Sequence, residues 1–90
     1  MVKVEILISP HCAYCDAMKR RVYKVVEELK AQKINVSVEE IDVLKHPEIR
    51  LKYEISSTPA LAVNGRLLFI GVPKEDEIRH HLESLVKKNG

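Results

Sequence analysis

The chain contains two cysteines, Cys12 and Cys15, both within Ser9-Pro10-His11-Cys12-Ala13-Tyr14-Cys15. Two thiols separated by two residues can cycle between dithiol and disulfide, supply half the ligands of a metal ion, or sit together as a small buried pair. The chain of 90 residues is above the size at which disulfides or metals are usually required for folding, so the pair is not needed as a staple. In a reducing compartment, closely spaced cysteines are more often catalytic or metal-binding than structural. Redox work requires one sulfur to be ionised at neutral pH. Lowering a thiol pKa from about 8.5 to about 7 raises its thiolate fraction at neutral pH from roughly 3% to roughly half.

The elements around the pair supply that condition. Val2 to Ile8 alternates at first (Val2, Val4, Ile6) and closes on three apolar residues, as expected of a central strand covered on both faces. Over 13–32, Cys15, Met18, Val22, Val25, Val26 and Leu29 recur at helical spacing, which predicts a long amphipathic helix. The cysteines therefore lie where a strand ends and a helix begins. There the unpaired N–H groups and positive dipole end of the helix favour a thiolate at Cys12, while Cys15 falls on the apolar stripe.

Residues 36–43 are rich in β-branched side chains and read as a second strand, parallel to the first because a helix intervenes. Pro47 suits the first turn of a short helix over 46–54. Ala60–Val63 and Arg66–Ile70 flank Asn64-Gly65, the dipeptide best suited to a type I′ hairpin turn. Ile78, Leu82, Leu85 and Val86 form one stripe of a final helix over 74–88. The predicted fold is α/β: order β-α-β-α-β-β-α, a four-stranded mixed sheet flanked by three helices, in one domain over residues 1–90.

On these residues the chain resembles the thioredoxin and glutaredoxin superfamily over nearly its whole length. Cys12-Ala13-Tyr14-Cys15 follows the first strand, as the active-site motif does in glutaredoxin-like members, and differs from the common glutaredoxin motif by Ala13 in place of proline. Ser57-Thr58-Pro59-Ala60 is similar to the family's segment before the third strand, and Asn64-Gly65 and Gly71 fall at its hairpin turn and last strand end. The resemblance implies a thioredoxin-like fold and a disulfide reductase in which Cys12 is the nucleophile and Cys15 the resolving thiol. It also implies that Pro59 is cis and that the backbone of Thr58 pairs with an extended substrate segment. His11 and Tyr14 are further candidates for substrate binding, and a protonated His11 would favour the Cys12 thiolate. No organic cofactor or metal is called for, only the redox-active disulfide Cys12–Cys15.

Several positions depart from the thioredoxin pattern. His11 stands where thioredoxins usually carry tryptophan, Ala13-Tyr14 replaces Gly-Pro, and Ile6 occupies the place of their buried aspartate. Gly71-Val72-Pro73-Lys74 also lacks the Gly-Gly and acidic residue through which glutaredoxins hold glutathione. The description is thus a small glutaredoxin-like thioredoxin, reloaded by thioredoxin reductase or by a low-molecular-weight thiol. Glu40 corresponds to a position near the active-site floor, where it would assist proton transfer to Cys15; the simpler reading is a carboxylate reaching solvent.

The expected partners are disulfide-containing proteins. A net charge of +2 spread along the chain argues against nucleic acid, and the interrupted N-terminal alternation argues against a signal peptide or membrane segment. A cytoplasmic monomer is expected. Two other readings compete. One is an electron carrier or adaptor dedicated to a single partner enzyme. The other is a CxxC metal-binding module, for which His11, His46, His80 and His81 are the added ligand candidates.

Overall fold

The computed structural model describes residues 2–89. The elements run β1 (Val2–Ile8), α1 (Cys15–Ala31), β2 (Val36–Asp42), α2 (Pro47–Tyr53), β3 (Ala60–Val63), β4 (Arg66–Ile70) and α3 (Glu75–Asn89), the order that the patterning predicts. The sheet has the order β2-β1-β3-β4, with β1 parallel to β2 and antiparallel to β3, and β3 antiparallel to β4. The architecture is that of a thioredoxin-like fold.

Strand alternation divides the core in two. Val2, Val4 and Ile6 of β1 pack with Met18, Val22, Val25, Val26 and Leu29 of α1 and with Ile78 and Leu82 of α3. Each such burial contributes roughly 1.5–3 kcal/mol, so this aliphatic face is the main source of stability. On the other face, Leu7, Ile41, Val43, Ala60 and Ala62 meet Tyr53 and Ile55.

Both α1 and α2 end on left-handed residues rather than glycine. Lys33 has φ 65° and Glu54 has φ 53°. In each case a later N–H reaches back to the last helical turn: Ile34 to the Leu29 carbonyl at 3.0 Å, and Ile55 to the Arg50 carbonyl at 3.2 Å. The first closure aims the chain into β2, and the second launches the loop that leads to β3. Asn64 (φ 52°) and Gly65 (φ 81°) both adopt the positive φ of the type I′ hairpin. The Asn64 side chain accepts a hydrogen bond from the Lys3 N–H at 2.9 Å, tying the hairpin to the start of β1.

α1 begins at Cys15, two residues later than its apolar spacing predicts. Ala13 and Tyr14 form a turn instead, with Tyr14 at the N-cap, and the first helical bond runs from the Met18 N–H to the Tyr14 carbonyl at 3.1 Å. That turn carries Cys12 across the helix end.

Candidate active site at the cysteine pair

β1 ends at Ile8 and delivers Ser9 to Tyr14 at one edge of the molecule. Cys12 and Cys15 are joined there in a disulfide, with their Cα atoms 5.5 Å apart. Their surroundings differ. Cys15 is the first residue of α1 and only 6% exposed, on the stripe that continues through Met18 and Val22, whereas Cys12 is half-buried in the turn before the helix. No side chain caps the start of α1, so the first-turn N–H groups are left to stabilise negative charge near Cys12.

The second part of the site comes from β3. Its antiparallel register sets Ala60 opposite Leu7, which brings the preceding residues to the end of β1 where the cysteines lie. The Thr58–Pro59 peptide is cis. Ser9 and Thr58 share a hydroxyl–hydroxyl hydrogen bond of 2.7 Å, linking the segment before Cys12 directly to the residue before Pro59. The Gly71 N–H donates to the Pro59 carbonyl at 2.8 Å, so the end of β4 holds the same loop from the other side. His11 is exposed and Tyr14 is 67% exposed, both on the turn bearing Cys12.

Glu40 is engaged elsewhere. Its carboxylate accepts a hydrogen bond from the Tyr23 hydroxyl at 2.6 Å and pairs with Lys19 at 3.0 Å. The Tyr23 bond and then the Lys19 ammonium hold its carboxyl below the usual range, so it stays ionised at neutral pH as a surface ion pair between α1 and β2. The histidines named as possible metal ligands are likewise dispersed. His46 faces Glu48 at 3.3 Å, while His81 lies edge-on to Phe69 and next to His80. Among the described residues, no group of three or more His, Cys, Asp or Glu side chains is placed to hold a metal ion.

Three polar residues whose contacts are set by the fold, Ser9, Arg50 and Glu5, are not singled out by patterns along the chain. Ser9 and Arg50 gave no pattern signal, because hydroxyls near a strand end and cations on a short helix are common. Glu5 lies between the apolar positions Val4 and Ile6 of β1, yet it is 5% exposed and accepts a hydrogen bond from the Tyr53 hydroxyl. The signal available for Glu5 was the expectation that both faces of β1 are covered, which requires a buried partner for any polar residue on it.

The comparisons with known proteins follow the same residues. A family model described as a thioredoxin domain matches residues 2–83. The chain is 36% identical over 77 residues to a thioredoxin of Methanocaldococcus jannaschii, covering 86% of this chain and 87% of that protein. It is 36% identical over 85 residues to a probable thioredoxin of Archaeoglobus fulgidus, covering 94% and 90%. A solved protein disulfide oxidoreductase from Aeropyrum pernix superposes with a TM-score of 0.78 at 28% identity, over 97% of this chain and 38% of that one. A match spanning the strand, the cysteine turn, the Thr58–Pro59 loop and most of the last helix leaves one conclusion: this chain belongs to the thioredoxin family.

Proposed function

We propose that the chain is a thiol-disulfide oxidoreductase that reduces protein disulfides through Cys12 and Cys15. The observation that carries this reading is the asymmetric pair itself: one reachable sulfur before an uncapped helix start, bonded to one buried sulfur in the first turn. In the reduced protein, the Cys12 thiolate attacks one sulfur of the substrate disulfide. A mixed disulfide forms and the first substrate thiolate leaves, taking a proton from solvent. Cys15 then loses its proton and attacks Cys12, which re-forms the Cys12–Cys15 disulfide and releases the second substrate thiol. Two electrons pass from the protein dithiol to the substrate, and an external dithiol or reductase must return them.

Pro59 and the main chain of Thr58 receive the extended substrate segment beside Cys12, with His11 and Tyr14 on its flank. The Ser9–Thr58 hydrogen bond supports this reading because it holds the receiving segment against the attacking one. The chemistry resides in the two sulfurs and uses no organic cofactor. The chain acts as a single domain and a monomer in a reducing, cytoplasmic setting, drawing electrons from a thioredoxin reductase or a low-molecular-weight thiol.

Insulin reduction measured in parallel with dithiothreitol, with glutathione and its reductase, and with NADPH-driven thioredoxin reductase tests activity and reductant together. Wild-type protein is expected to turn over with at least one donor. Cys12→Ser should lose activity by a factor of a thousand or more, on the order of what removing a nucleophile costs. Cys15→Ser should accumulate mixed disulfides through Cys12, visible as a mass shift reversed by reductant. Full activity in Cys12→Ser would sink the proposal.

A further inference from the structure

Beside the loop that receives substrate, the surface opens into a cavity of about 200 Å³ whose walls include Ser9, Leu44, Arg50, Ser56, Ser57 and Thr58. Four of these six side chains are hydroxyls and one is a cation. Arg50 is held in place by its own loop, since its Nε donates to the Ile55 carbonyl at 3.3 Å. Among the described residues, its guanidinium pairs with no carboxylate. Arg79, by contrast, meets Glu28, Glu75 and Asp76 at 2.7–2.8 Å. A guanidinium oriented by one N–H retains outward N–H groups that suit a carboxylate in two-point contact. The surrounding hydroxyls can donate to the same anion.

The place of the cavity determines which anion meets it. Ser9 and Thr58 form its wall and are bonded to each other, so the cavity adjoins the segment that receives the substrate backbone. A strand laid along Thr58 turns alternate side chains to one side, rising roughly 3.3 Å per residue, so a side chain within about two positions of the attacked cysteine comes over the cavity. The volume favours a side chain over a free molecule, because pockets that enclose small ligands run from about 300 to 1,000 Å³. We infer that Arg50, with the hydroxyls of Ser56 and Ser57, forms a specificity subsite for an aspartate or glutamate side chain flanking the target cysteine of a protein substrate. This rests on the disulfide-reductase reading of Cys12 and Cys15 and adds the class of substrate that the site prefers.

The test uses disulfide-linked peptides with a single Glu placed at successive positions around the cysteine, each matched to a peptide with Gln at that position. For wild-type protein, kcat/KM should favour Glu over Gln at one or two positions by roughly three- to tenfold, mainly through KM, and the ratio should shrink as salt rises. In Arg50→Gln the ratio should fall to about one. In Arg50→Lys part of it should survive, because charge is kept while the fork geometry is lost. Arg66→Gln, at the hairpin on the far side of the sheet, should keep the wild-type ratio. A wild-type ratio of one at every position overturns the inference, as does a ratio that persists in Arg50→Gln. An effect of Arg50→Gln confined to glutathione disulfide overturns it too, by assigning the cation to a small thiol. If the wild type reduces none of the peptides, the redox reading itself fails, whereas reduction without preference leaves that reading intact and removes only the subsite.

Discussion

The two faces of the sheet are built differently, and the difference divides labour within the molecule. The buried residues of the face under α1 and α3 are all non-aromatic and apolar, from Val4 and Ile6 to Met18, Leu29, Ile78 and Leu82, with Phe69 packed at their margin. The face under α2 is smaller, and it buries a carboxylate and a phenol, Glu5 and Tyr53, with the hydroxyl of one donating to the other. A dry aliphatic face gains stability from area alone and tolerates no polar atom without a partner. The α2 face gains less from area and more from directional bonds, and it carries the loop from Glu54 to Pro59 that approaches the cysteine turn through the Ser9–Thr58 hydrogen bond. Stability resides chiefly on the first face, and the proposed recognition of substrate falls chiefly on the second.

Truncation on the aliphatic face should have the largest effect. Leu29, 1% exposed, packs between α1 and the sheet. Leu29→Ala is expected to destabilise the protein by about 2–5 kcal/mol, read from urea unfolding. Activity per folded molecule should persist, because α1 still presents the cysteines. A loss below 1 kcal/mol would show that this face is less tightly packed than its burial implies.

On the other face, Tyr53→Phe removes the donor to Glu5 and leaves a buried acceptor unmatched, at a cost of about 1–3 kcal/mol. The phenol also gives this face a pH signature. Burial, and then the bond to Glu5, push the Tyr53 hydroxyl up to about 12, while an unfolded tyrosine titrates near 10. Its contribution is therefore fully present below about pH 10 and is lost as pH rises toward 12. Stability of the wild type should fall across that window, and Tyr53→Phe, lower at neutral pH, should show a shallower fall. Parallel curves for the two proteins would mean that the phenol is not coupled to folding.

The smallest effect belongs to the surface between α1 and α3. There Arg79 bridges Glu28 to Glu75 and Asp76, and its hydrogen bond holds the Glu28 carboxyl below the usual range. Arg79→Gln should lower stability only slightly. The difference should be present above the ordinary glutamate range, vanish as pH falls through the lowered value in the folded protein, and fade in high salt. A difference that survives 1 M salt would point to lost packing of the arginine stem rather than lost charge.

Much of the fold was legible because its signals are local. The bounds of β1 and of the hairpin strands follow from alternation and from Asn64-Gly65, and the stripes of α1 and α3 follow from spacing along one helix. The cysteine turn was legible in the same way, since Cys12 and Cys15 straddle a strand end and a helix start. Helix boundaries were less so. The start of α1 at Cys15 depends on the Ala13–Tyr14 turn, which apolar spacing does not report.

The sequence by itself determined where the sulfurs sit on their elements and which side chains turn inward, because periodicity and turn chemistry act between near neighbours. Only the tertiary structure decided what meets the sulfurs and what partners the buried charge. Ser9 reaches Thr58 because β3 runs antiparallel to β1 with Ala60 opposite Leu7. Glu5 is buried because α2 folds back over β1 and offers Tyr53 as its donor. Arg50 faces the loop of Ser56, Ser57 and Thr58 because a left-handed Glu54 turns the chain back against the end of its own helix. Each of these contacts depends on how separate elements pack, and no pattern along one element records it.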